Sequence, residues 1–165
     1  MIETKRIKLR DYNTDDFHFL NSLLKAPEMV RFIGNGKTKN ETEAKAFYDW
    51  IKASYDQNKD YGLKIIELKD TGERIGHAGL VPQIINGEEL IEIGYWISTN
   101  YWGEGFATEV AKALRDYGEK ELHLQKMIAL IQVDNLASQK VARNIGMKEE
   151  REIDLKGKQV KIFTI

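Results

Sequence analysis

Alternating apolar and polar positions predict β-strands at the start and in the middle of the chain. From Arg6 to Arg10, Ile7 and Leu9 fall on one face of an extended segment, as in a half-buried strand. Three further strands are predicted over Tyr61–Lys69, Arg74–Val81 and Glu89–Ser98. The turn sequences Asp70-Thr71-Gly72 and Asn86-Gly87 separate these three strands, which favours an antiparallel meander.

Apolar residues spaced three or four apart predict two helices between the first strand and the meander. The first helix follows the capping residues Asn13 and Thr14 and stops before Pro27. The second runs from about Thr42 to Gln57. The segment between them, Met29 to Lys39, shows neither period and is predicted to be a loop.

The second half of the chain predicts a strand, a helix and a further strand, in that order. The helix lies within Tyr101–Lys120, and the apolar stretch inside Lys126–Val133 predicts a buried strand. This order favours a parallel crossover. Asn135 then caps a shorter helix, and two last strands flank the turn Lys156-Gly157-Lys158. The complete order, βααβββαβαββ, predicts one mixed α/β domain over residues 1–165 with a single sheet.

Composition narrows the classes of protein to which this chain can belong. The 165 residues are 42% hydrophobic and 31% charged, which suits one globular domain. A net charge of −1 gives no global attraction to nucleic acid or to an anionic membrane. Without cysteine, a disulfide framework and a thiolate nucleophile are excluded. No run of eighteen apolar residues occurs, and the N-terminus has no apolar leader, so we expect a cytoplasmic protein.

The three histidines give no sign of a metal site. His18, His77 and His123 are scattered along the chain at no spacing typical of metal ligands. We expect each to be a structural or surface residue, and we predict no metal.

Two glycines, Gly103 and Gly105, lead directly into the helix within Tyr101–Lys120. Glycines let successive backbone N–H groups turn toward one point, where the helix N-terminus adds about half a positive charge. The sequence therefore predicts a phosphate-type anion site, the alternative being a turn that only joins strand to helix. Thr108 stands where a dinucleotide fingerprint needs its third glycine, and the Gly-Lys-Ser/Thr of a P-loop is absent.

Three segments together resemble a known family. They are Glu92-Ile93-Gly94-Tyr95-Trp96-Ile97, then Tyr101 to Glu109, then Val133-Asp134-Asn135 with Ser138, Val141, Asn144, Gly146 and Met147. In order and spacing they resemble the GNAT superfamily of acetyl-CoA-dependent N-acetyltransferases, especially the RimJ/RimL-type branch that acetylates N-terminal amines of ribosomal proteins. The resemblance implies a single mixed, mostly antiparallel, seven-stranded sheet with about four helices and a central, splayed pair of parallel strands.

The resemblance also implies acetyl-CoA as co-substrate. The backbone N–H groups of Gly103 to Thr108 would hold the pyrophosphate, and the strand around Trp96 would pair with the pantetheine arm. The residues implied at the cofactor are Tyr95, Trp96, Ile97, Trp102, Gly103, Glu104, Gly105, Phe106, Ala107, Thr108, Asn135 and Ser138.

Three catalytic residues follow from the same resemblance. Glu92 is the predicted base, acting through a water; the alternative is a solvent-facing residue of an ordinary strand. Many superfamily members place a Tyr acid where this chain has Ala142, so Ser138 is the predicted acid for the CoA thiolate. Ser138 could instead only satisfy backbone groups in the first turn of its helix. Asn135 is expected to cap that helix and to bind the pantetheine.

The sequence is compatible with more than one class of amine acceptor. An α-amino group titrates near ~8 and a lysine near ~10.4, so a protein N-terminus needs less help from a base. We expect direct attack of such an amine through a tetrahedral intermediate. The alternatives are a small amine (a polyamine, an aminoglycoside or an amino acid) or a non-catalytic acyl-CoA-binding module. The loop Met29 to Lys39 is expected to border the acceptor groove, and either a monomer or a homodimer is compatible with the sequence.

Overall fold

The computed structural model describes residues 2–165 and contains one seven-stranded sheet with helices on both faces. The strands are β1 Ile7–Arg10, β2 Gly62–Leu68, β3 Arg74–Ile85, β4 Glu88–Ile97, β5 Ile128–Gln132, β6 Lys148–Leu155 and β7 Lys158–Thr164. The helices are α1 Phe17–Lys25, α2 Pro27–Val30, α3 Glu41–Gln57, α4 Phe106–Lys120 and α5 Leu136–Asn144. The predicted fold class is therefore confirmed.

Two elements differ from the sequence prediction. The strand predicted to end at Val81 continues to Ile85, because the residues beyond Pro82 pair with β4 across the Asn86-Gly87 turn. The short helix α2, with proline in its first turn, includes Met29 and Val30, the first two residues of the predicted loop. Four residues are too few to display a helical period, so the sequence pattern could not reveal this helix.

The order of strands in the sheet is β1-β2-β3-β4-β5-β7-β6. Every neighbouring pair is antiparallel except β4 and β5, which are parallel and in register only at Glu92 and Ile128. Beyond this position no ladder pair joins β4 to β5 in the described chain, whereas β5 pairs with β7 from Ile128 to Gln132. The predicted splayed pair is present, and it leaves a gap in the middle of the sheet.

Two apolar clusters hold the helices against the sheet. On one face, buried residues of α4 such as Val110 and Leu114 pack in one cluster with Phe163 of β7. On the other face, Leu20 of α1 and Ile51 of α3 pack in a second cluster. In the described residues, no helix is long and apolar enough to cross a membrane.

The buried carboxylate of Asp16 ties the start of α1 to the sheet. It accepts hydrogen bonds from Arg10 at 2.7 and 2.9 Å and from the backbone N–H of Asn13 at 2.8 Å, and Arg74 lies 3.2 Å away. Burial opposes ionisation, but the hydrogen bonds from Arg10 hold the pKa of Asp16 below its usual value. The carboxylate is thus fully paired, as a buried charge must be.

We predict that Asp16→Ala lowers the free energy of unfolding by about 3 kcal/mol, because Arg10 and the Asn13 N–H lose a buried charged acceptor and Arg10 keeps only Glu67 as a partner. Asp11→Ala is the matched control. Asp11 pairs with Lys64, but its side chain is 60% exposed, so we expect a loss of about 1 kcal/mol or less. Urea unfolding at pH 7 measures both variants. Equal midpoints would contradict the structural role of Asp16.

Candidate active site

The loop before α4 presents a group of backbone donors without partners. Gly103 and Gly105 adopt φ values of +78° and +84°, a left-handed conformation that favours glycine. Gly105 caps the helix without any side-chain hydrogen bond. Within residues 2–165, no carbonyl or side chain accepts a hydrogen bond from the backbone N–H groups of residues 103–108. Unpaired N–H groups at a helix N-terminus can bind an anion such as a pyrophosphate.

The gap between β4 and β5 opens beside this loop. Tyr95, Trp96 and Ile97 lie beyond the single position where the two strands are paired, so their strand edge faces the gap. Trp102 folds back toward the end of β4 and donates its indole N–H to the carbonyl of Ile97 at 2.6 Å, although its side chain is largely exposed. An unpaired strand edge can accept the amide groups of an extended ligand.

A polar cluster lies on the α5 side of the gap. The Tyr95 hydroxyl donates to Ser138 Oγ at 3.3 Å, and Asn135 Nδ2 donates to the same oxygen at 3.1 Å. Asn135 also caps α5 by accepting a hydrogen bond from the Ser138 N–H at 3.2 Å. Burial raises the pKa of Tyr95, which keeps its hydroxyl protonated at neutral pH. The fold therefore brings Asn135 and Ser138 together, as predicted, and adds Tyr95 as a third member.

Glu92 lies at the position where β4 and β5 meet. Its Oε1 accepts a hydrogen bond from Gln83 Nε2 at 3.0 Å. The side chain is partly buried, unlike those of Glu88 and Glu89, which are exposed. Burial raises the pKa of Glu92 to about 7. Such a carboxyl is half ionised at neutral pH and can accept a proton there.

Glu92 and Tyr95 lie on opposite faces of the sheet, because successive side chains of a strand alternate. Trp96 shares the Glu92 face, where its ring packs 5.6 Å from that of Phe47 on α3. The predicted base and the predicted acid are therefore on the two sides of one gap. This arrangement suits a reaction in which one ligand enters from the α3 side and the other lies along the gap.

Sequence reasoning missed Gln83 and the aromatic group around Trp96. Gln83 reaches Glu92 only because the β3–β4 hairpin sets their register, with Val81 opposite Glu92. The signal that could have found Gln83 is its even spacing from Val81, which places both on one face of β3.

His77 is a buried member of the aromatic group. Its ring centroid is 4.5 Å from that of Trp96, and its Nδ1 is 2.6 Å from the Tyr12 hydroxyl. Burial lowers the pKa of His77 to about 3, so the ring is neutral. His18 and His123 are exposed. Among the residues that the structure describes, no group of three or more His, Cys, Asp or Glu side chains could hold a metal ion.

The Met29 to Lys39 segment reaches the open end of the gap. Gln132, at the end of β5, donates from Nε2 to the carbonyl of Gly34 at 3.0 Å. The segment is also fixed at its far end, where the Lys39 N–H donates to the carbonyl of Leu24. It therefore lies next to β5 on the border of the site.

Comparison with known proteins agrees with this geometry. The model of the acetyltransferase (GNAT) domain family matches residues 6–148. The chain belongs to the GNAT acetyltransferase family. It is accordingly an acetyl-CoA-dependent N-acetyltransferase.

Relatives of known sequence cover most of the chain. The uncharacterized protein YkkB of Bacillus subtilis (strain 168) is 36% identical over 97% of this chain and 92% of its own length. The uncharacterized N-acetyltransferase YnaD of the same organism is 33% identical over 90% and 83%. The spermidine N(1)-acetyltransferase of Escherichia coli (strain K12) is 26% identical over 89% and 75%.

Solved structures share the fold. An acetyltransferase from Agrobacterium tumefaciens str. C58 superposes with a TM-score of 0.83 at 24% identity, covering 99% of this chain and 92% of its own. RimL, a ribosomal L7/L12 α-N-protein acetyltransferase in complex with coenzyme A, gives a TM-score of 0.81 at 19% identity over 99% and 96%. At these identities the likeness establishes the fold alone.

The raised pKa of Glu92 predicts a pH-dependent change in stability on Glu92→Gln. In the unfolded chain Glu92 loses its proton near pH 4.5, whereas in the folded protein it keeps the proton until about pH 7. The wild type therefore loses stability as the pH rises through this window. Glu92→Gln removes that loss, so we expect its gain over the wild type to be near zero at pH 4 and up to about 3 kcal/mol at pH 8.

Urea unfolding of Glu92→Gln and of the exposed control Glu89→Gln at both pH values measures this difference. The control is expected to change little at either pH. A gain for Glu92→Gln that is the same at pH 4 and pH 8 would show that Glu92 titrates normally in the folded protein.

Proposed function

We propose that this acetyltransferase transfers the acetyl group of acetyl-CoA to the N-terminal α-amine of a protein, with Glu92 as the base. The observation that carries this proposal is the partly buried Glu92 carboxyl, bonded to Gln83 at the point where β4 and β5 separate. Burial also raises the pKa of this carboxyl to about 7. Acetyl-CoA supplies the activated thioester. The protein supplies the binding surface for it, the base for the attacking amine and a proton donor for the departing thiolate.

Each residue at the gap has a role that follows from its position. The free N–H groups of residues 103–108 hold the pyrophosphate, and the open edge around Trp96 aligns the pantetheine. Glu92 accepts the proton of the attacking amine, directly or through a water. On the opposite face, Ser138 delivers a proton to the thiolate, with Tyr95 and Asn135 holding its hydroxyl.

The lower pKa of an α-amine favours it over a side-chain amine as the acceptor. Moving a proton from an α-ammonium near ~8 to a carboxylate near 7 costs about 1.4 kcal/mol, because the two pKa values differ by roughly 1. The same transfer from an amine near ~10.4 costs about 4.6 kcal/mol. Removal of the proton by Glu92 therefore costs less for a protein N-terminus than for a lysine side chain.

A small cationic amine is the second candidate acceptor. The Glu92 face also carries the rings of Trp96 and Phe47, and aromatic faces attract ammonium groups. One of the relatives, moreover, is a spermidine N(1)-acetyltransferase. A polyamine could therefore bind the Glu92 carboxylate and the aromatic rings of Trp96 and Phe47.

A panel of acceptors separates these candidates. Thiol release from acetyl-CoA is followed with a thiol reagent, to which this cysteine-free protein contributes no background. The acceptors are a peptide with a free N-terminus, the same peptide with its N-terminus blocked and a lysine retained, spermidine, an aminoglycoside and free amino acids. We expect kcat/KM for the free N-terminus to exceed that for the blocked peptide at least about tenfold, following the difference in amine pKa.

Glu92→Gln identifies the base in the same assay. We expect kcat to fall about 10²- to 10⁴-fold, with loss of the activity limb that rises near pH 7, and Glu89→Gln to resemble the wild type. A higher kcat/KM for spermidine than for the peptide would contradict the N-terminal acceptor and support a small cationic amine. Full activity of Glu92→Gln would remove Glu92 from the mechanism.

Substitution of Ser138 is expected to lower the activity only in part. The thiolate of CoA has a pKa near ~8.5, so water can protonate it when Ser138 is missing. We predict that Ser138→Ala lowers kcat several-fold, and that Tyr95→Phe and the double variant lower it by a similar factor, because residues of one relay are not additive. Steady-state kinetics at saturating acetyl-CoA measure all three. Multiplying effects in the double variant would show that Tyr95 and Ser138 act separately.

A further inference from the structure

The segment that precedes β1 reaches across the molecule to the loop before α4. The guanidinium of Arg6 donates from Nη1 to the carbonyl of Glu104 at 3.0 Å. The same guanidinium lies 4.0 Å from the centroid of the Phe106 ring, the first residue of α4. Arg6 therefore contacts the loop before α4 at two places, the Glu104 carbonyl in its middle and the Phe106 ring at its end.

Glu109, in the first turn of α4, fixes the guanidinium in this place. Its Oε2 accepts from Arg6 Nε at 2.7 Å and lies 2.6 Å from Nη2, while Oε1 accepts from the Thr4 hydroxyl and, at 3.3 Å, from the Arg6 backbone N–H. Although burial opposes it, hydrogen bonds from Thr4 and Arg6 lower the pKa of Glu109. The carboxylate thus stays charged. It holds the planar Arg6 guanidinium through two of its N–H donors, those of Nε and Nη2.

The contact with Glu104 orients one peptide of the loop. A trans peptide is planar, and its C=O and N–H point in opposite directions. Because the Glu104 carbonyl is directed to Arg6, the N–H of Gly105 is directed away from it. That N–H is one of the donors without a partner in the described chain. Glu104 lies between two glycines, whose backbones rotate most easily, so an external contact is needed to hold this peptide.

We propose that Arg6 is a positioning residue for the anion site, holding the Glu104–Gly105 peptide so that its N–H faces the pyrophosphate of acetyl-CoA. This inference rests on the assignment of the loop to the pyrophosphate. Arg6 acts through the backbone and not as a bare positive charge, since Glu109 neutralises it at 2.6 Å.

The two roles predict opposite effects of Glu109→Gln. If Arg6 acted only as a charge, removal of the nearby carboxylate would strengthen binding of an anion. If Arg6 positions the peptide, the same change releases the guanidinium and weakens binding. Glu109→Gln therefore separates positioning from simple attraction.

The experiment uses Arg6→Ala, Glu109→Gln and the matched control Lys5→Ala, which removes an exposed neighbouring charge. Calorimetry gives the Kd for CoA. Kinetics give kcat/KM for acetyl-CoA and for S-acetylpantetheine, which lacks the pyrophosphate, with the best amine of the panel. Thermal melting checks that each variant is folded.

We expect Arg6→Ala to raise the Kd for CoA about tenfold, the effect of losing one charge-assisted hydrogen bond. The preference for acetyl-CoA over S-acetylpantetheine should fall by a similar factor, and the KM for acetyl-CoA should rise more than kcat falls. Glu109→Gln should raise the Kd several-fold, and Lys5→Ala less than about twofold, as expected for an exposed charge.

Tighter CoA binding by Glu109→Gln, or an unchanged Kd in folded Arg6→Ala, would overturn the positioning role and leave the proposed function intact. Equal losses with acetyl-CoA and S-acetylpantetheine would also overturn it, because the effect would then not pass through the pyrophosphate. A wild type that bound no CoA would overturn the proposed function together with this inference.

Discussion

The site depends on the single position at which β4 and β5 remain paired. Parallel strands normally satisfy each other's backbone groups along their length, and a gap between them costs free energy unless water or a ligand fills it. Here the pairing stops after Glu92 and Ile128, while the outer sides of both strands stay paired with β3 and β7. The gap is therefore held open by a rigid sheet, and an extended ligand can complete the hydrogen bonding that the strands leave undone.

The chemistry follows from which side of the gap each side chain faces. Alternation along β4 sends Glu92 and Trp96 toward α3, and Tyr95 toward Ser138 of α5. Burial raises the pKa of one group on each face, with a different consequence for each. It raises the pKa of Glu92 into the neutral range, where it can exchange a proton, and raises the pKa of Tyr95, which keeps that hydroxyl a donor.

The proposed anion site shows how a loop of flexible residues can still be ordered. Its donors are backbone groups, which need glycines at Gly103 and Gly105 to turn toward one point. Flexible residues alone would leave these donors to sample many directions. Arg6, which is held by Glu109 of α4, donates to the Glu104 carbonyl. This contact constrains the peptide between Glu104 and Gly105.

Periodicity, turn residues and helix caps are local features, so the amino-acid sequence alone was enough to predict the order of the elements except α2, the glycine loop and the segments that carry the family resemblance. It also pointed to Glu92, Asn135 and Ser138. The surroundings of these residues depend on how the chain packs. Gln83 meets Glu92 through strand register, Tyr95 meets Ser138 across the sheet–helix interface, and Arg6 meets Glu104 over 98 positions of chain. Burial of Glu92, and hence its raised pKa, likewise comes from packing that an alternating strand pattern cannot encode.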